Sequence, residues 1–294
     1  MRLINTSTFA IQDFTGKEVP QYAILSHRWH SSEEEVSYHD FLDGAKRDTY
    51  GWRKVQSCCQ TALINDLHWC WIDTCCINKA SSSEESRSIN SMFAWYEGSA
   101  EGFVYLDDVD CLDRSTPEAQ SEIAASRWFT RGWTLQELIA PSKLTFFNSR
   151  WESLGTRSDL VDILTKITSI PADVLTGQTS HLTCSIAQRM FWAADRTTTV
   201  VEDQSYSLMG LFDVNMPLIY GEGTKAFMRL QEEIIQRSTD QTIFAWTDSS
   251  PQKAFLHPIH RASRLTMAAV SAACQPISLT TQPQTISPSA TQAS

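Results

Sequence analysis

Five consecutive residues, Ser26-His27-Arg28-Trp29-His30, place a hydroxyl, two imidazoles, a guanidinium and an indole within one short stretch of chain. Imidazole exchanges protons near neutral pH, guanidinium grips phosphate or carboxylate in a planar fork, and indole offers a flat face to a ring. Asp73 and Thr74 end a second apolar run and are followed by Cys75, Cys76 and Asn78; Asp107 and Asp108 follow a third. The run Arg127-Trp128-Phe129-Thr130-Arg131-Gly132-Trp133 sets two arginines among three aromatics, where Arg can stack on a ring or pair with an anion. Each feature also has a purely structural reading. Ser26 and His27 can satisfy a strand end, and Asp73 can cap a loop. Ser81 with Glu84, Ser82 with Glu85, and Thr134 with Glu137 all have the spacing of a helix-start capping box. Glu137 is also in range to tie back to Arg131.

Metal and phosphate-loop chemistry finds no pattern. The eight cysteines contain no C-x-x-C pair, and the adjacent pairs Cys58-Cys59 and Cys75-Cys76 are poor templates for tetrahedral zinc. Packing of reduced thiols is the expectation. Asp107, Asp108, Asp110 and Asp113 miss the spacing of a calcium loop, and Gly221–Lys225 (GEGTK) lacks the Walker spacing. A hydrolase built on Cys76 and His27 has no orienting third group in the sequence.

The elements that must position these residues follow from periodicity. Apolar runs at 22–26, 70–73, 103–106 and 144–147 read as strands. Helical spacing between them (Trp52, Val55, Cys59 and Ala62, then Ile89, Met92, Phe93 and Tyr96) predicts crossover units and a mainly parallel sheet with helices on both faces. In such a sheet the strand carboxyl ends share one edge, where ligands bind. That gathers Ser26, His27, Trp29, Asp73 and Glu84 in one cavity, with Arg131 and Trp133 at its rim. The expected organisation is an α/β domain over 1–155, a helical extension over 156–248 that ends in a strand at Gln241–Trp246, and a disordered tail over 249–294. Residues 265–294 carry no charge and are rich in Ser, Thr, Gln and Pro, so limited proteolysis should remove them without lowering Tm.

Composition narrows the partners. Thirty-four acidic against 24 basic residues give a net charge of −10, which argues against binding a phosphate backbone broadly. No uncharged apolar run is long enough to span a membrane, and Met1–Phe14 lacks the apolar core of a secretory signal. A cytoplasmic protein without nucleic-acid or membrane partners is expected.

The segments Tyr22–Trp29 (YAILSHRW), Trp71–Lys79 (WIDTCCINK), Ile89–Tyr96 (INSMFAWY) and Ser126–Pro141 (SRWFTRGWTLQELIAP) together resemble the fungal heterokaryon-incompatibility (HET) domain. Ala187–Trp192, Glu202–Met209 and Met216–Ile235 resemble the extension of its vegetative-incompatibility members, so the resemblance runs to about residue 247. Arg28 and His30 depart from the family's usual S-H-T-W-G, and Arg87 stands where relatives often carry Glu. The resemblance implies non-self recognition and programmed cell death, through protein partners and self-assembly. HET domains are in turn considered distantly similar to TIR domains, some of which cleave NAD with a catalytic glutamate. Glu84 is the matching position here. In that reading NAD is the substrate, and Glu84 stabilises the charge that develops as the glycosidic bond breaks. His27 then orients the ligand or its phosphate. The alternative implied is a non-catalytic module that kills by assembly.

Overall fold

The computed structural model describes residues 1–245; the expected tail over 249–294 lies outside them. The chain opens with strands β1 (Arg2–Asn5), β2 (Ile11–Asp13) and β3 (Ala23–His27), then helices α1 (Tyr38–Leu42) and α2 (Tyr50–Ile64). Next come β4 (Trp69–Trp71), α3 (Asp73–Cys76), α4 (Ser82–Glu97), β5 (Glu101–Tyr105), α5 (Pro117–Ala124) and α6 (Thr134–Ile139). β6 (Leu144–Phe147) and β7 (Ser153–Thr156) complete the sheet. Beyond them lie α7 (Val161–Thr168), α8 (Ala172–Leu175), α9 (Ile186–Phe191), α10 (Asp203–Tyr206) and α11 (Lys225–Arg237).

All four expected strands form, and they pair in parallel: β3 lies between β4 and β5, and β5 pairs β6. The sheet as a whole is mixed. Its order is β2-β1-β4-β3-β5-β6-β7, and β1, β2 and β7 join antiparallel. The mainly parallel expectation is corrected at both edges. The three antiparallel strands have only three or four residues, and β2 and β7 are largely polar, so no apolar run marks them. A second correction falls at Gln241–Phe244, which forms a 3-10 turn instead of a closing strand. The Asp240 side chain accepts from Thr242 N at 2.9 Å and starts that turn.

Alternation along the strands divides the core. Phe103, Tyr105 and Phe147 share one cluster with Trp52, Val55, Cys58 and Cys59 of α2. Val104, Leu144 and Phe146 share the other with Leu135 and Leu138 of α6 and with Leu164, Met190 and Leu230 of the later helices. Both faces of the sheet are therefore covered by helices, and the later helices bury their apolar stripes against the face that carries α6.

α2 sits close to the loop before it. The Gly51 amide donates to Glu34 O at 3.1 Å, and a Cβ at Gly51 would lie 2.4 Å from that same oxygen and 2.9 Å from Glu35 Cα. Backbone cannot rotate aside as a side chain can. Gly51→Ala should therefore destabilise the fold by about 1–3 kcal/mol, measured by urea denaturation. A change within experimental error would show that α2 can slide.

Candidate functional site

The carboxyl ends of β3 and β4 bring His27 and Asp73 together. β3 and β4 run side by side, with Ile24 opposite Trp71, and each chain then continues two or three residues to the group concerned. His27 Nε2 lies 2.9 Å from Asp73 Oδ1, and Trp29 Nε1 donates to Asp73 Oδ2 at 2.8 Å. One carboxylate thus fixes both an imidazole and an indole. Burial pushes the Asp73 carboxyl up, but the His27 hydrogen bond and the Lys79 and Lys54 charges outweigh it and keep Asp73 ionised. Burial, then the Lys54 charge, lowers His27 and leaves it neutral. Its Nδ1 is buried and has no hydrogen-bond partner among the described residues.

Behind His27 lies an ion pair that sequence reading missed. Lys54 of α2, 2% exposed, donates to Glu35 Oε1 at 2.5 Å and reaches Arg28 O at 3.4 Å. The same Glu35 oxygen accepts from His30 N at 2.8 Å. Lys54 and Glu35 therefore hold the backbone on either side of Trp29. Arg28 and His30 turn to Asp107, at 3.2 and 3.0 Å. A lysine on an otherwise apolar helix face was the available signal for this pair.

Trp29 itself remains 39% exposed. The Lys79 ammonium sits 3.3 Å from its ring centroid, and the Arg131 guanidinium carbon 5.7 Å from it. Trp133 donates through Nε1 to Asp203 Oδ2 at 3.1 Å, and Asp203 Oδ1 accepts from Tyr220 Oη at 3.0 Å. Burial raises the Asp203 carboxyl above its ordinary value, and burial also raises Glu85, which lies within electrostatic reach of Lys79 and Asp203. Lys79, Asp203 and Tyr220 were not singled out from the sequence, and Glu85 was read only as a capping-box candidate.

The structure separates two residues expected in one cavity with His27. Ser26 points to the opposite face of the sheet, as strand alternation requires. There it donates to Glu137 Oε2 at 2.5 Å and accepts from Trp128 Nε1 at 2.9 Å. Burial pushes the Glu137 carboxyl up to about 8. Glu84 takes other partners: both its oxygens are held by the Arg2 guanidinium of β1, and Oε1 also accepts from Asn78 N at 2.9 Å. A small cleft lined by Gly132, Arg196, Thr198 and Gln204 holds none of the five expected side chains.

The capping boxes do not form either. Ser81 makes no side-chain cap, and Thr134 spends its hydroxyl on Trp128 O and Arg131 O. Glu137 lies on the buried side of α6 with Ser26, so it forms no ion pair with Arg131. Cys76 is buried, and burial pushes its thiol up to about 12, which disfavours the thiolate that a nucleophile needs. Among the described residues no group of three or more His, Cys, Asp or Glu side chains could hold a metal ion, and no helix is long and apolar enough to cross a membrane.

Residues 22–119 match the family model described as heterokaryon incompatibility protein (HET), and residues 225–292 match a domain of unknown function (DUF8212). The vegetative incompatibility protein HET-E-1 of Podospora anserina is 44% identical over 228 residues. That alignment covers 76% of this chain and 17% of the Podospora protein, so the chain spans less than a fifth of its relative. No solved structure matches. The HET match contains β3, β4 and β5 and the His27–Asp73–Trp29 cluster at their carboxyl edge, and with the 44% identity to the Podospora protein it shows that the chain carries a heterokaryon-incompatibility (HET) domain.

Proposed function

We propose that this chain is an incompatibility-signalling domain whose site at the carboxyl ends of β3 and β4 takes a nucleotide such as NAD, and that TIR-like cleavage of that nucleotide triggers cell death. The observation that carries the reading is Trp29, an exposed indole pinned by Asp73 and flanked by the Lys79 and Arg131 cations. A flat ring can stack on the indole while the cations take phosphate. Strand order adds support. Among the four parallel strands the second, first, third and fourth lie in that order, which is the flavodoxin-type doubly wound order, with its ligand crevice outside the carboxyl ends. In this reading the α/β part over 1–155 binds the ligand, the helical extension over 156–248 braces it, and the protein acts in the cytoplasm with protein partners.

The catalytic carboxylate is the open position in this reading. Glu84 must leave Arg2 before it can serve a reacting sugar, whereas Glu85 lies within electrostatic reach of Lys79 and Asp203 and makes no ion pair among the described residues. Engagement of Glu84 by Arg2 favours a second reading, in which the domain kills by assembly without turnover. Expression of the whole chain in a fungal host, with NAD content and viability followed together, separates the two. Trp29→Ala should abolish both NAD loss and killing. Glu85→Gln should abolish NAD loss if Glu85 is the acid, and Glu84→Gln should do so if the Arg2 pair opens. Killing with undiminished NAD in the unaltered chain decides for assembly.

A further inference from the structure

We infer that the helical extension supplies the second aromatic wall of this site: Tyr220 is that wall, and Asp203 is the residue that positions it. The inference rests on the nucleotide reading above and concerns residues that fall between the two matched family models, 22–119 and 225–292.

The geometry repeats that of the first wall. Asp73 fixes Trp29 with one carboxylate oxygen and His27 with the other. Asp203 accepts from Tyr220 with one oxygen and from Trp133 with the other. In each case a ring that is well exposed, 39% for Trp29 and 45% for Tyr220, is anchored by a carboxylate that also grips a more buried partner. Trp133 is a suitable anchor, because it packs against both core clusters. Tyr220 is held on a second side by the edge of Tyr206, at 5.5 Å between ring centroids. Glu202, next to Asp203, accepts from Gly221 N and Gly223 N at 2.8 Å each, so the turn that carries Tyr220 is fixed as well.

The two walls belong to one neighbourhood. Lys79, seated on Trp29, lies within electrostatic reach of Asp203 and Glu85, and Glu85 lies within reach of Tyr220. Arg131 lies 5.7 Å from the Trp29 ring centroid and within electrostatic reach of Asp203. The loop joining α9 to α10 is locked to the Arg131 segment: Gly132 N donates to Thr197 O at 2.8 Å, and Arg196 Nη1 donates to Arg131 O at 3.0 Å. A planar, anionic ligand therefore meets a ring from each part of the chain, with the cations close to both. An immobilised ring costs less ordering entropy on binding than a free one, and this is what the Asp203 bond contributes.

The test uses the whole chain, NAD as the probe and calorimetric titration as the readout. Tyr220→Ala should weaken NAD binding by roughly tenfold or more, as loss of one stacking ring does. Tyr220→Phe keeps the ring but frees it, and Asp203→Asn keeps one acceptor for two donors, so both should fall between the unaltered chain and Tyr220→Ala. The indole N–H resonance of Trp133, identified by its loss in Trp133→Phe, should shift in Asp203→Asn without ligand. It should move again when NAD is added to the unaltered chain. If NAD binds the unaltered chain but Tyr220→Ala and Asp203→Asn bind it equally well, the inference is wrong and the nucleotide reading stands. If NAD at millimolar concentration binds nowhere and Trp29→Ala makes no difference, both fall together.

Discussion

Lys54→Met should cost the fold about 3–5 kcal/mol of stability, more than any single substitution at the exposed rim, because it strands a buried carboxylate. Lys54 and Glu35 are 2% and 8% exposed, and their bond is 2.5 Å long. Methionine matches the volume of the lysine stem, so packing of α2 is nearly preserved. What is lost is the counter-charge. Glu35 would remain on His30 N with its other oxygen, Oε2, already without a partner among the described residues. The double variant Lys54→Met, Glu35→Leu should recover most of the loss, since replacing both partners of a buried pair by apolar groups is often near neutral. A residue of about 1 kcal/mol should persist for the His30 amide, which loses its acceptor. Urea denaturation of the three proteins measures this directly. A single variant within 1 kcal/mol of the unaltered chain would falsify the view that this pair is sealed from water. The same series reads on Trp29, because Lys54 and Glu35 hold Arg28 O and His30 N on either side of it.

The parallel strands were legible in the sequence because each is a continuous apolar run buried on both faces: every residue of β3 and of β5 is buried. The edge strands were not. β2 (IQD) has no buried residue, and its place is set by antiparallel pairing to β1, a tertiary fact with no local trace. Within the site, His27 with Asp73 followed from strand order alone, because two neighbouring parallel strands must end together. Ser26 was misassigned by ignoring alternation: adjacent strand residues face opposite sides, so Ser26 and His27 cannot share a cavity. The Arg2 pairing of Glu84 was missed for another reason. That partner, Arg2, lies 82 positions away on β1, a short strand that the pattern did not show. Asp203 and Tyr220 come from an extension with no period pointing to the sheet edge, and only the folded chain brings them to Trp133.

Glu137→Gln should stabilise the protein at high pH and make the difference between the two proteins depend on pH in one direction. Burial pushes the Glu137 carboxyl from its ordinary 4.5 up to about 8, against the Ser26 hydrogen bond, which favours the ionised form; Asp73 adds further repulsion. At pH 6 to 7 the native chain therefore keeps a proton that the unfolded chain has released. Unfolding releases it, so the Glu137 contribution is fully present below about pH 4.5, declines as pH rises from there, and is gone once pH passes about 8. At 1.36 kcal/mol per unit the whole swing is on the order of 5 kcal/mol. Glutamine keeps the shape and an oxygen to accept from Ser26, but has no proton to lose. Below pH 5 the two proteins should be similar in stability, and above pH 8 the glutamine variant should be the more stable by a few kcal/mol. Taking the difference removes the other titrating groups, whose environments are the same in both proteins. Stability curves from pH 4.5 to 9 measure it. A difference that stays flat would mean that Glu137 is ionised in the native chain, paired electrostatically with Arg131 or Arg196. A rising difference means that the Ser26–Glu137–Trp128 network is neutral at physiological pH. Charge chemistry at this edge of the sheet then belongs to the opposite face, where Asp73, His27 and Lys54 meet.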